Sequence, residues 1–358
     1  MRIGTSCCRL LGLMAAVWVW SSFSWAASPD LNACKAILDD RERLSCYDNL
    51  VSGKTIEPTV VEKAREEATP PDRVTRDTFL NEQIAAATQS PLGRAWELDP
   101  VLKGGIFRFR FYKPIYFLPI RYTDSPNRDP ASPSFEDEVT DEETQMEYNE
   151  VKFQLSFKTK LWENLFRGNG DIWFGYTQQS HWQVYNEEVS APFRTTNYEP
   201  ELMMNWRTDL NLPGTGMKWR MLNLGLVHQS NGRSEPLSRS WNRVYAQFGI
   251  ERGDFVLLVR PWLRLEEDVD SDDNPDIDQY MGNGDILAHY KYKGNIFSLL
   301  GRYSFEGGRG AIQFDWGFPI YKNLKANLQL FSGYGENLLD YNHYQNVIGF
   351  GFSLANWQ

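Results

Sequence analysis

Beyond residue 26 this chain has no stretch approaching 18 consecutive apolar residues, so its mature part carries no transmembrane helix. It is also short of positive charge, with 37 Lys and Arg against 47 Asp and Glu and a formal net charge of −10. That balance argues against a nucleic-acid partner, which requires basic patches. Cysteine is scarce. Of the 4 present, Cys7 and Cys8 precede the apolar stretch of the amino terminus rather than ending it, which argues against a lipoprotein anchor. Cys34 and Cys46 remain, and with no His or third Cys nearby they read as a local disulfide of an oxidising compartment rather than as a metal or catalytic pair. On the chain-entropy view, closing so short a loop stabilises it by roughly 3 kcal/mol.

The amino terminus supplies the compartment. Arg2 and Arg9 form a basic region, Leu10 to Phe23 an apolar one, and Ser24-Trp25-Ala26 a small-x-small cleavage site, so residues 1–26 read as a secretory signal. Residues 27–104 read as a periplasmic extension: a helix-like Ala33 to Leu50, a Lys-, Glu-, Thr- and Pro-rich linker over Ser52 to Arg76, and a second short helix within Phe79 to Leu92.

From residue 105 to 358 the period becomes 2. Val151, Phe153, Leu155 and Phe157 alternate with Lys152, Gln154, Ser156 and Lys158; Leu324, Ala326, Leu328 and Leu330 alternate with Lys325, Asn327 and Gln329. Twelve such segments are expected, near 105–120, 148–161, 171–184, 200–210, 217–229, 239–251, 254–265, 278–292, 295–305, 310–319, 323–334 and 345–355. Most have the length that crosses a bilayer when tilted. Composition alone would also allow a secreted β-sandwich; the connections favour a barrel. Arg252-Gly253, Lys293-Gly294 and Tyr321-Lys322 are tight, whereas 121–147, 185–199, 266–277 and 335–344 are longer and polar, the alternation of periplasmic turns and extracellular loops. The expectation is an all-β, twelve-stranded antiparallel transmembrane barrel of the bacterial outer membrane, with its amino terminus in the periplasm.

One cluster carries chemistry. In the segment ending at Ser230, Leu224, Leu226, His228 and Ser230 share a face. In the next, Asn242, Val244, Ala246, Phe248 and Ile250 do. A hairpin between them sets Asn242 opposite His228, so Ser, His and Asn gather on an apolar face that a barrel turns towards lipid. A Ser hydroxyl needs a base to become a nucleophile, and an imidazole needs a third group to fix its tautomer. Asn242 can accept from the ring N–H but brings no charge. The reaction expected is acyl transfer to water through an acyl-serine.

The run His228-Gln229-Ser230-Asn231-Gly232-Arg233-Ser234-Glu235-Pro236-Leu237-Ser238-Arg239-Ser240-Trp241-Asn242-Arg243-Val244-Tyr245 resembles the signature of the outer-membrane phospholipase A family. Similar stretches occur at Gly175 to Gln178, Pro192 to Pro200, Asp272 to Ile277 and Ser332 to Glu336. The resemblance implies a calcium-dependent serine hydrolase, active as a homodimer, that cleaves acyl esters of phospholipids, with sn-1, sn-2 and lysophospholipid preference left open. Carried over by position, it implies Ser230 as nucleophile, His228 as base, Asn242 as orienting residue and the Gly232 N–H at the oxyanion. It implies Ca2+ ligands at the main-chain carbonyls of Arg233 and of Ser190 of the partner subunit and at the Ser238 hydroxyl, with Glu235 at a neighbouring calcium position where the family often has Asp. Gln178 corresponds to a dimer contact, against the simpler reading that it faces the lumen.

Other features read more plainly. His181, His289 and His343 lack a Ser or carboxylate at suggestive spacing and read as interfacial or loop residues. The acidic segment Glu266 to Asp278 has Pro275 where an EF-hand loop needs Gly, so it reads as a solvated loop that divalent cations could bridge to lipopolysaccharide. A non-enzymatic pore or structural barrel, and a secreted soluble esterase, are the alternative functions.

Overall fold

The structure, a computed structural model, describes residues 34, 40–51, 81–135, 145–188, 192–268, 271–322 and 324–355. It divides into two compact units, Met1–Asp77 and Thr78–Gln358. In the first, Asp40–Val51 forms helix α1. Cys34 is buried and disulfide-bonded. The signal residues 1–26 and the Cys46 side chain lie outside the described residues.

The second unit is a closed antiparallel barrel of twelve strands. They are β2 (Ile115–Thr123), β3 (Asn149–Trp162), β4 (Asp171–Trp182), β5 (Phe193–Leu212), β6 (Met217–Ser230), β7 (Ser240–Arg252), β8 (Phe255–Leu265), β9 (Gly284–Tyr292), β10 (Asn295–Ser304), β11 (Arg309–Tyr321), β12 (Leu324–Tyr334) and β13 (Tyr344–Ala355). Each pairs with its sequence neighbour, and β13 closes on β2, so the barrel wall has no free edge. A short strand β1 (Phe109–Phe111) pairs with β3 below β2. The Lys293-Gly294 turn has positive φ at both residues (47° and 81°), the conformation whose twist matches a two-residue hairpin.

Parity sorts the wall. Leu155, Leu202, Leu224, Leu226, Leu263 and Ile312 are exposed on the outside, the surface that lipid covers in an outer membrane. Lys152, Lys158, Lys160, Glu150, Arg121 and Gln329 are buried inside. Burying so many charges is tolerable only where each meets a partner. In the loop-bearing half, Arg121 bridges Glu150 (2.8 Å) and Glu336, and Arg194 bridges Glu150 (3.0 Å) and Asp340 (2.8 Å). Lys152 reaches Glu336 (3.1 Å) and the Gln329 carbonyl (2.7 Å).

In the other half the fill comes from upstream of the strands. Residues 81–89 are helical. Helix α2 (Pro91–Trp96) follows, with Ser90 at its N-cap accepting from Gly93 N (2.8 Å) and Pro91 in its first turn. Leu92 and Trp96 are fully buried. Trp96 meets Tyr112 and Trp173 edge-on at 5.8 and 6.0 Å, and the Lys158 ammonium lies 3.1 Å from the Trp96 ring centroid. Glu251 on β7 accepts from Ser90 Oγ (2.5 Å) and Leu92 N (3.0 Å), tying the helix to the wall. Between this plug and the ion network lies a cavity of about 230 Å³ lined by Tyr112, Arg243, Arg260, Asp285, His289 and Arg302, among others.

Several elements differ from the sequence expectation. Residues 78–104 belong to the same compact unit as the strands, whereas the sequence divides at 104. The first strand is interrupted at Lys113-Pro114, because proline has no N–H for the ladder. Strand β5 starts at Phe193, not near 200, and runs through Pro200 opposite Tyr176. Residues 278–281, expected to begin a strand, instead belong to the short helix α3 (Ile277–Met281), which Gly282 ends at φ 69°. The acidic loop is not simply solvated: Ile277 and Asn274 are fully buried, and Asp272 takes two bonds of 2.7 Å from Arg264.

Candidate active site on the outer wall

β6 and β7 pair so that His228 stands directly opposite Asn242, Ser230 opposite Ser240 and Leu226 opposite Val244. Leu226 (50%) and Val244 (37%) are exposed while Val227 (4%) and Arg243 (5%) are buried, so His228 and Asn242 point outward, as the alternation predicts. His228 Nδ1 lies 2.9 Å from Asn242 Oδ1. A carbonyl oxygen only accepts, so Nδ1 carries the proton and Nε2 is left with a lone pair. Ser230 lies two residues further along the same face, half-buried, and among the described residues its hydroxyl makes no hydrogen bond. Contacts of this kind are often loose before substrate binds.

The turn after Ser230 is built by Asn231. Its Oδ1 accepts from Arg233 N (3.2 Å) and Arg239 N (3.0 Å), and its Nδ2 donates to Leu237 O (2.7 Å). Gly232 sits at φ 62°, and a Cβ there would come within 2.9 Å of the Tyr198 ring, so glycine is required twice over. Among the described residues nothing accepts the Gly232 N–H, which leaves it available to an oxyanion. Arg239 is fully buried and pins the loop by donating to Pro236 O (2.8 Å), Ser238 O (2.6 Å) and Pro130 O (2.9 Å).

The residues expected at calcium are only partly assembled. Ser238 Oγ donates to Asp273 Oδ2 at 2.6 Å, bringing a hydroxyl and a carboxylate together in the way a hard, oxygen-seeking cation requires. Asp273 was missed from sequence because its segment was read as a solvated loop. It is held by Ser132 and Ser134, which donate to the carbonyls of Asp273 and Asp272 (2.5 Å each), and by Asn274, whose Oδ1 accepts from Ser240 N (2.9 Å). Glu235 is exposed, and Asp273 is the carboxylate bonded to Ser238. Ser190 lies outside the described residues. Among the described residues no three His, Cys, Asp or Glu side chains converge on one point.

A further contact was invisible in the sequence. Asn242 Nδ2 donates to Glu267 Oε1 at 2.9 Å, from the loop after β8. Gln178 points outward, where its Oε1 accepts from Tyr176 OH (3.2 Å) and its Nε2 reaches Ser180 Oγ (3.4 Å). The other histidines do have partners, contrary to the sequence reading, because neighbouring strands supply those of His181 and His289 and the loop after β2 supplies that of His343. His181 Nδ1 is 2.7 Å from Glu150 Oε1 inside the barrel, His289 Nδ1 is 2.6 Å from Ser298 Oγ, also inside, and His343 Nε2 donates to Ser125 O at 2.9 Å.

A family model described as Phospholipase A1 matches residues 92–354. Over 341 residues, covering 89% of both chains, this one is 39% identical to a putative phospholipase A1 of Neisseria meningitidis. It is 41% identical to phospholipase A1 of Escherichia coli over 206 residues, 58% of this chain and 70% of that one. Among solved structures, outer membrane phospholipase A from Escherichia coli superposes with a TM-score of 0.64 at 36% identity, covering 70% of this chain and 95% of that one. A Salmonella typhi outer membrane phospholipase dimer with bound calcium gives 0.67 at 33% identity, covering 75% and 99%. The closed twelve-stranded barrel and these likenesses agree: the chain belongs to the phospholipase A1 family and is a phospholipase of the bacterial outer membrane.

Proposed function

We propose that this phospholipase hydrolyses acyl esters of membrane phospholipids with Ser230 as nucleophile, His228 as base and Asn242 as the group that orients the imidazole. The observation that carries this reading is the His228–Asn242 hydrogen bond on the outward face, where phospholipid arrives from the bilayer. Ser230 Oγ attacks the acyl carbonyl carbon while its proton passes to His228 Nε2. The tetrahedral intermediate collapses, the ester C–O bond breaks, and His228 returns the proton to the departing lysophospholipid oxygen. Water repeats the sequence on the acyl-serine and releases fatty acid. The Gly232 N–H holds the developing oxyanion.

Ca2+ and a homodimer belong to the same reading, supported by the calcium-bound dimer of the Salmonella relative. The residues that would hold the ion are Ser238, Asp273 and the Arg233 carbonyl, with Ser190 of the partner subunit. When bound, Ca2+ supplies positive charge to the oxyanion site. Gln178, polar on a lipid-facing wall, gains most by meeting its copy across a dimer axis. Drawing site residues from two subunits would keep an enzyme embedded in its own substrate silent as a monomer.

The test is fatty-acid release from detergent-dispersed phospholipid by purified protein, with Ser230→Ala alongside. Full activity in the variant removes Ser230 as nucleophile. A channel function is disfavoured by the interior, where α2, Trp96 and the Arg121–Glu336 network occupy the lumen.

A further inference from the structure

Asparagine in the third position of such a triad poses a problem that aspartate does not. A carboxylate accepts from either oxygen, but an amide presents a donor on one side and an acceptor on the other. Flipped by 180°, Asn242 would direct an NH2 at His228 Nδ1 and stabilise the tautomer protonated on Nε2, which cannot take a proton from Ser230. Something has to hold the amide the right way round.

Glu267 is placed to do so. Its Oε1 accepts from Asn242 Nδ2 at 2.9 Å, on the side of the amide away from His228. A carboxylate offers no donor, so a flipped Asn242 would set its carbonyl oxygen against Glu267 and its NH2 against the His228 Nδ1 proton, two repulsive contacts in place of two hydrogen bonds. Glu267 is half-buried, so the bond is only partly screened by water. Burial raises its carboxyl above the ordinary range, and the Asn242 N–H offsets part of that rise. The loop that carries Glu267 is anchored by Arg264 on Asp272, by Asn274 on Ser240 N and by the buried Ile277.

We propose that Glu267 is a positioning residue. By fixing the orientation of the Asn242 amide it fixes the His228 tautomer, so that a chain of two hydrogen bonds runs from an extracellular loop to the base. The inference rests on the Ser230–His228–Asn242 reading and extends it by one residue.

The experiment is a double-mutant cycle on the full-length protein in detergent, reading kcat and KM for a phospholipid substrate in Asn242→Ala, Glu267→Leu, Glu267→Gln and the Asn242→Ala/Glu267→Leu pair. Each variant is first shown to be folded by its thermal unfolding midpoint. Glu267→Leu is expected to lower kcat about tenfold with KM unchanged. Glu267→Gln, which keeps a carbonyl acceptor, is expected to stay within about threefold of the parent. In the Asn242→Ala background, Glu267→Leu is expected to cost nothing further, since the amide it orients is gone. Unchanged kcat in Glu267→Leu, a raised KM with kcat kept, or the same loss in both backgrounds would overturn the proposal. Should Ser230→Ala and Asn242→Ala also keep full kcat, the triad reading itself has failed, a result distinct from the failure of Glu267 alone.

Discussion

Two His/Ser pairs stand on opposite faces of the same wall. Inside, His289 on β9 and Ser298 on β10 are 2.6 Å apart, closed in beside a 230 Å³ cavity. Outside, His228 and Ser230 share no hydrogen bond among the described residues, yet His228 is bonded to Asn242 and Asn242 to Glu267. By distance alone the inner pair is the better dyad. It faces charges and a plugged lumen, away from the lipid-covered surface from which a phospholipid arrives. The outer pair has an orienting chain, a Gly232 N–H that nothing accepts among the described residues, and an apolar surface along which an acyl chain can lie. On the proposed reading, reactivity follows access and orientation rather than the shortest contact.

That contrast breaks most sharply with paired substitutions. Ser230→Ala should lower phospholipid hydrolysis by at least about 10³-fold, measured as fatty-acid release, whereas Ser298→Ala should stay within about twofold. The reverse order would assign the chemistry to the lumen. Chelation sharpens the same division. EDTA should reduce activity by on the order of 10²-fold, with Ca2+ restoring it, and Ser238→Ala should raise the Ca2+ concentration needed for half activity. Retention of full activity in EDTA would remove the metal.

A smaller effect is expected from two glycines of nearly equal φ. Gly232 (62°) faces the Tyr198 ring, while Gly308 (63°) has open space around its would-be Cβ. Each change to Ala should cost roughly 1 kcal/mol of backbone strain. Only Gly232→Ala should also lower kcat, by about tenfold, because it moves the N–H proposed to hold the oxyanion.

The smallest effect on activity belongs to the ion network. Burial alone would push the Asp340 carboxyl up, but Arg194 beside it and the amides of Asn337 and Asn127 outweigh this and hold it below the ordinary range. A depressed carboxyl stabilises the fold above its unfolded-state value, and that contribution is lost as pH falls through the folded-state value. Asp340→Asn should therefore lower the barrel's unfolding temperature at neutral pH. Its deficit against the parent should shrink below about pH 4 as the parent's own carboxyl protonates. A deficit independent of pH would mean that packing, not charge, is what Asp340 provides.

Most of the wall was legible because each strand is half apolar, and a period of 2 fixes which residues face lipid. The outward placement of His228 and Asn242 followed from parity and one hairpin. Features made by contacts distant in sequence were not legible. Glu267 lies 25 residues from Asn242 and Asp273 lies 35 from Ser238, each in an acidic stretch that looks solvated until its fold is known. The plug was hidden for a similar reason: Pro91–Trp96 is too short to show a helical period, and its apolar side chains find their partners inside a barrel formed by later residues. Strand β5 extends through Pro200, a residue that sequence rules place at strand edges.

The central claim is that the outward Ser230 is the reactive hydroxyl. Treating the intact, Ca2+-loaded protein with a sulfonyl fluoride and mapping the modified peptide by mass spectrometry tests it most directly. The account predicts one stoichiometric adduct, on Ser230, formed in step with loss of activity. An adduct on Ser298 or another serine with Ser230 unmodified, or full inactivation without modification of Ser230, would contradict it.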